Sequence, residues 1–536
     1  MQMNARGAGS KGLGAVVSAL TAAILFLTSV ETAEAAPPAN FDARAKAVLQ
    51  ASGTPGMSVA IVEGGRTTLL HGYGRRRLDG AEMVGPDTIF PIASVSKAFT
   101  AAALAILVDQ GRLSWDDKVT DRLPDFQLYD PLASREITVR DLLVHNSGLG
   151  LGAGDLLFWP RSTRSRSAIV RSLRHLKPAA GFRSGYAYDN VLYIAAGQLI
   201  EAVSGQTWEE FVSANILAPT GMTSAVTEPA KRFANVDRAQ PHARLGANIR
   251  GSGEIQVLDE RVGLSASAAP AGGVVASARD MSRWLAVQLA RGKRPDASAR
   301  VFSEKAAEEM WTPRTLMPRR PSSAPAGAVP LFATYALGWR VVDYKSHRIV
   351  WHTGGIAGYR SIAVLVPDLD LGFSVLTNAE DTALIMGLMY ELLDHYIDPA
   401  SNSDWPAQWA ALNRAQASAA AKSVEHLKRD QSRPALPAHA YVGVYSDPWF
   451  GQISVTDHKG ELMLDFPQNP GMSGRLTPWS RDTFRTVWDD HSFEPALVSF
   501  AFDPNGKVAH ISMRAASPLA DFSYDYQDLD FRPVDR

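Results

Sequence analysis

A chain of 536 residues that is 46% hydrophobic and 20% charged has ample material for a large core, which excludes a disordered or low-complexity polymer. Its 54 Lys and Arg balance 55 Asp and Glu without any basic block, so nucleic acid is not expected as a partner. There is no cysteine, hence no disulfide and no thiolate metal site, and the twelve histidines form no His-Glu-x-x-His, so neither a metal nor a cofactor is expected.

In chain order, the first element is an address. Arg6 and Lys11 precede an uncharged, mostly apolar stretch over 12–30, and Ala33-Glu34-Ala35 offers small residues at cleavage spacing before Pro37-Pro38. This layout predicts a secretory signal peptide over 1–35 and a periplasmic or secreted mature protein with no stable membrane insertion. The competing reading is a retained anchor, because the apolar stretch is rather long.

Met57-Ser58-Val59-Ala60-Ile61-Val62 reads as a strand, Gly64-Gly65 as a tight turn and 67–70 as a second strand. A helix is predicted over 94–110. Its 98–108 section is apolar almost all round, broken only by Thr100, which places it inside a large domain, and Gly111 stands where a C-terminal cap is expected. The middle of the chain is richer in helical signals, with loops near 148–160 and 318–330. Strand signals return at 336–342 and 362–376. Residues 407–428, rich in Ala, Lys, Arg and Gln, read as a linking helix ended by Pro434 and Pro437. From Tyr441 the pattern becomes short strands. Asp457-His458-Lys459-Gly460 and Pro504-Asn505-Gly506-Lys507 separate β-runs, the second with a strong Asn-Gly hairpin signal. The expected organisation is a signal peptide over 1–35, a catalytic domain over 36–400, a helical linker over 401–436 and a small antiparallel β-barrel over 437–536 that folds on its own.

Three motifs carry chemistry. Ser94-Val95-Ser96-Lys97 is the only Ser-x-x-Lys in the chain and opens the apolar helix. A helix N-terminus favours a developing alkoxide, and a lysine three residues on shares the serine's face. Among apolar neighbours that lysine loses basicity and becomes a proton acceptor. Tyr188-Asp189-Asn190 is the only Tyr-x-Asn and precedes a helix over 195–203. It could present a proton-transfer group and a hydrogen-bond donor together, or simply be a helix-entry loop capped by Asn190. His352-Thr353-Gly354-Gly355 lies between two β-runs, where glycines let a ligand backbone approach and a free amide could face an oxyanion.

In this order and spacing the motifs resemble the serine β-lactamase and penicillin-binding-protein superfamily, in its class C-like branch of D-aminopeptidases, esterases and DD-peptidases. Ile137-Thr138-Val139-Arg140-Asp141-Leu142-Leu143-Val144-His145-Asn146-Ser147-Gly148-Leu149, Pro219-Thr220-Gly221-Met222 and Pro270-Ala271-Gly272-Gly273 look like further landmarks of that family. The resemblance covers roughly 41–395, and the last hundred residues resemble the lipocalin-like barrel appended to some of these hydrolases. It implies an α+β fold: an antiparallel sheet flanked by helices, beside an all-helical region. It also implies Ser94 as nucleophile, Lys97 and Tyr188 sharing the base role, and Asn190 orienting Lys97 and the substrate amide. The amides of Ser94 and Gly355 form the oxyanion hole, with His352, Thr353 and Gly354 on the substrate-binding strand. The usual Lys-Thr-Gly is His-Thr-Gly here. That replaces a permanent cation by a group charged only when protonated, and it speaks against strong β-lactamase activity.

The function expected is a serine peptidase acting through an acyl-enzyme on small or linear peptides that contain D- or unusual residues. Peptidases of linearised microcystin resemble this size and motif set. An ester substrate handled by a carboxylesterase, or weak β-lactamase or DD-carboxypeptidase activity, would use the same machinery. A non-catalytic peptidoglycan-binding or sensing protein is the alternative of another class.

Overall fold

The computed structural model describes residues 36–246, 250–261, 263–294, 298–426 and 434–534. The expected signal peptide lies outside the described residues. The strand signals near the start and in the fourth hundred meet in one antiparallel sheet of eight strands. Its order is Arg66–Gly74, Gly56–Glu63, Leu371–Thr377, Tyr359–Val366, His347–Ile356, Arg340–Tyr344, Ala333–Tyr335 and Thr315–Leu316. The central strands read as unbroken apolar runs because both faces are covered. Val59, Ile61, Ile362, Val364 and Phe373 face the helices Phe41–Ser52, Thr382–Ile397 and Trp405–His426. Ala363, Leu365 and Leu376 face the opposite way, toward helix Ala278–Leu289 and the all-helical region.

The expected strand over 336–342 is half turn. Ala336 to Trp339 form a hairpin bend closed by the Ala336 N–H donating to the Trp339 carbonyl at 2.7 Å, and the strand starts at Arg340. The bend is apolar because all of Ala336, Leu337 and Trp339 are fully buried, so composition alone made it look like a strand.

The Ser-x-x-Lys segment begins as a short 3-10 turn, Ala93–Ser96, and continues as the helix Lys97–Asp109. Every residue from Lys97 to Leu107 is buried, as the all-round apolar pattern requires. Helix Val191–Ser204 crosses it and carries the Tyr-x-Asn motif at its entrance.

The C-terminal strands, from Gly443–Asp447 to Asp530–Pro533, close into an eight-stranded antiparallel barrel in sequence order. Alternate residues such as Ile453, Val455, Leu462 and Leu464 point inward, the period expected of a strand. Lys459 and Gly460, both at positive φ, make the first of the two expected turns. The barrel is a distinct sheet, yet from Pro37 onward the chain forms one compact unit, and one apolar cluster runs from the helical region into the barrel. The linking helix is also docked. Trp405 and Trp409 pack into the core beneath the sheet, and the Trp405 indole donates to Asp394 at 2.6 Å.

Candidate active site

Ser94 is the half-buried residue of an otherwise buried turn. Ala93, just before it, has φ 47°, a conformation uncommon outside glycine, and this kink carries the chain from the short strand Phe90–Pro91 into the helix. Lys97 is fully buried. Its Nζ donates to Ser94 Oγ at 3.1 Å, Asn190 Oδ1 at 2.7 Å and the Ala271 carbonyl at 2.8 Å. Three acceptors satisfy an ammonium, and a neutral amine keeps two as acceptors while taking a hydrogen bond from the serine. Loss of solvation pushes the Lys97 pKa down to about 7, against the opposing pull of Asp155 and Asp189.

Tyr188 lies beside the same amine, with Nζ 4.9 Å from its ring centroid. Burial raises the phenol far above its ordinary range, so it stays protonated. A protonated phenol at this place is able to donate or relay a proton. Asn190 sits at the N-cap of its helix but makes no side-chain cap bond. Its amide instead bridges Lys97 and Asp155, to which its Nδ2 donates at 2.8 Å. Asp155 is completely buried, and desolvation raises its pKa to about 8.

The strand His347–Ile356 brings the third motif beside the other two. It pairs with its neighbour Arg340–Tyr344 only as far as Trp351, so 352–356 form an open edge along the cavity. Gly354 lines the cavity with its backbone, while its Cβ position is turned toward the Ser94 segment. A Cβ there would stand 2.1 Å from the Ile92 carbonyl, so the glycine is what allows the nucleophile segment to lie against the strand. Thr353 and Gly355 line the cavity.

His352 stands at the cavity wall. It is 1% exposed, with Nδ1 bonded to the Thr353 carbonyl at 2.6 Å and Nε2 to the Tyr335 hydroxyl at 2.9 Å. Burial, aided by Arg340 and Lys97, holds its pKa well below the ordinary histidine value. It belongs to a ring cluster with Tyr335, Tyr188 and His145, in which burial disfavours the cation.

A cavity of about 610 Å³ opens over Ser94. Positive charge reaches it from Arg340, Arg319, Arg320 and Arg360, with Asp521 as the acidic residue on its wall. Arg340 lies 5.3 Å over the Trp351 ring, and its Nε has no hydrogen-bond partner. Residue patterns missed Asp155, Arg340 and Tyr335. The only available signals were an acid followed by Leu156-Leu157-Phe158-Trp159 and an arginine interrupting Leu337-Gly338-Trp339 and Val341-Val342.

Residues 41–393 match the family model described as Beta-lactamase, and 427–533 match a domain of unknown function, DUF3471. The unguisins hydrolase ungD' of Aspergillus campestris is 30% identical over 495 residues, 87% of each chain. Protein flp of Staphylococcus aureus is 26% identical over 337 residues, 62% of this chain and 61% of flp. Among solved structures, the octameric penicillin-binding protein homologue from Pyrococcus abyssi superposes with a TM-score of 0.57 at 20% identity, over 89% of this chain and 98% of its own. The D-amino acid amidase from Ochrobactrum anthropi SV3 superposes with a TM-score of 0.53 at 23% identity, over 67% of this chain and 99% of its own. These likenesses extend the fold through the barrel in the first case and over the catalytic region in the second. No helix among the described residues is long and apolar enough to cross a membrane. The chain belongs to the β-lactamase family of serine hydrolases.

Proposed function

We propose that the protein is a peptidase that hydrolyses amide bonds of short, linear, carboxylate-bearing peptides through an acyl-Ser94 intermediate. The observation that carries this reading is Lys97. It is a fully buried amine 3.1 Å from Ser94 Oγ with a pKa brought to about 7, a general base ready at neutral pH. In the first step Lys97 takes the Ser94 proton as Oγ bonds to the scissile carbonyl carbon. The oxyanion is held by the Ser94 and Gly355 amides. Collapse breaks the C–N bond, and the departing nitrogen takes a proton relayed from Lys97 through Tyr188. A water then enters, gives its proton to Lys97, attacks the ester carbon and releases the acid, while Ser94 regains its proton.

Two features favour a peptide. The open strand edge at 352–356 suits an extended main chain that adds as a further strand. The four arginines of the cavity suit a substrate carboxylate, a role that neutral His352 does not fill. The relative named an unguisins hydrolase supports a hydrolytic activity. The test is a mass-spectrometric screen of linear peptides, including D-residue peptides and linearised microcystin, against esters and β-lactams, with Ser94→Ala as control. Peptide cleavage with a transient acyl adduct on Ser94, and a loss of at least about a thousandfold in Ser94→Ala, is the expected result. Turnover of esters alone would overturn the peptidase reading, and wild-type rates in Ser94→Ala would overturn the mechanism.

A further inference from the structure

The barrel sends one segment back to the catalytic residues. After the strand Val508–Ala515 the chain leaves the barrel wall and runs along the loop that carries Asp155 before the last strand, Asp530–Pro533. Ser523 Oγ donates to Asp155 Oδ2 at 2.7 Å, on the same oxygen that receives Asn190 Nδ2. Asp525, completely buried, accepts from the Gly154 and Leu156 amides at 2.6 and 3.0 Å and so holds the backbone on both sides of Asp155. Phe522 stands 5.8 Å from the Tyr188 ring and lines the cavity. At Gly152, with φ +72°, a Cβ would lie 2.5 Å from the Phe522 carbonyl, so the two loops touch backbone to backbone.

We propose that the barrel completes the active site, its Ser523 acting as a positioning residue at the end of a continuous chain Ser523–Asp155–Asn190–Lys97–Ser94. Each link is a hydrogen bond of 3.1 Å or less between side chains at least half-buried. Asn190 has two ends. With Nδ2 fixed on Asp155, its Oδ1 is fixed toward Lys97, and the amine is held over Ser94 in one orientation. Asp155 has no stabilising cation of its own beyond Lys97, and its Oδ1 is buried without a partner, so the Ser523 hydroxyl is one of two donors that keep the carboxyl in place. This assigns a task to the segment of a domain whose function is otherwise unknown, and it rests on the reading of Ser94 and Lys97 as nucleophile and base.

The direction of the effect follows from the charges. The Asp155 carboxylate raises the Lys97 pKa, and the Ser523 hydrogen bond favours that carboxylate. Removing the hydroxyl, or replacing Asp155 by Asn, lowers the fraction of carboxylate and with it the Lys97 pKa. The test uses the full chain and a fluorophosphonate that labels reactive serines, with labelling rates taken from pH 5 to pH 9. Ser523→Ala and Asp155→Asn should label at least tenfold more slowly than wild type at the plateau, with the rising limb of the profile moved to lower pH. Ser523→Thr, which keeps the hydroxyl, should restore both rate and limb. Circular dichroism and melting temperature establish that the variants are folded, and Asp155→Asn retains a side chain of the same shape. An unmoved rate and limb in folded Ser523→Ala, with Ser94→Ala inert, would overturn the inference and leave the nucleophile in place. Labelling that persists in Ser94→Ala would overturn the reading on which it rests.

Discussion

At the scale of single residues, the proposed mechanism turns on where one proton resides. Burial away from solvent lowers the Lys97 pKa to about 7, well below that of an exposed lysine. Acylation needs the neutral amine, so kcat/KM for an uncharged substrate should rise as pH passes about 7 and then level off. Lys97→Arg should be inactive at every pH, since a guanidinium cannot surrender its proton in this range. A flat profile from pH 5 to 9 would remove Lys97 from the base role. Arg340 belongs to the same scale. A charge-assisted hydrogen bond to a substrate carboxylate is worth about 1.5–3 kcal/mol, so Arg340→Met should raise KM roughly ten- to a hundredfold for peptides with a free carboxylate and leave amidated peptides little changed. Equal loss on both kinds of peptide would assign the arginine to structure alone. Here residue types were a partial guide. The meeting of Ser94, Lys97, Tyr188 and Asn190 was legible because fixed spacings along a helix and at the entrance of its neighbour bring these side chains together. That His352 lacks a permanent charge was legible from its residue type, but how far the fold disfavours the cation was not, because that comes from Tyr335 and from burial.

At the scale of elements, the nucleophile turn and the substrate strand are fitted to each other at Gly354. A methyl group there meets the Ile92 carbonyl at 2.1 Å and Ser361 Oγ at 2.3 Å, both of which are in the buried seam. Ser361 Oγ itself donates to the Ile92 carbonyl at 2.7 Å, so the obstacle cannot simply swing away. Gly354→Ala should therefore cost about 1–3 kcal/mol of stability and slow serine labelling at least tenfold, read by thermal melting and the fluorophosphonate rate. Wild-type melting and labelling would show that the seam has slack. The sheet strands and the buried helix were readable from their periods, and the closed barrel from its regular turns. The bend at Ala336 to Trp339 was not, since a turn buried against a helix carries the composition of a strand.

At the scale of the molecule, the barrel and the catalytic region hold one loop between them. Asn469 of the barrel donates to the Leu156 and Pro160 carbonyls at 3.1 and 2.9 Å, and Arg164 donates to the Phe450 carbonyl and, at 3.1 Å, to Asn469. A β-pattern with its own turns suggests a detachable unit, because strand periodicity says nothing about which loops meet across a boundary. With these contacts, a chain ending near residue 436 should lose serine labelling and expose the apolar cluster shared by the two regions, read by labelling and by dye binding to exposed apolar surface. A truncated chain that labels like wild type would make the barrel a passenger.

The open edge at 352–356 has a consequence for what the protein spares. An unpaired strand edge accepts any exposed backbone, yet a chain can lie along it only if its own amides and carbonyls are free. A folded protein has already committed those groups to its own helices and sheets. In a peptidase of the proposed kind the edge would act as a sieve that passes unstructured oligopeptides and turns away native domains, which would let such a hydrolase share a compartment with intact proteins and consume only their debris.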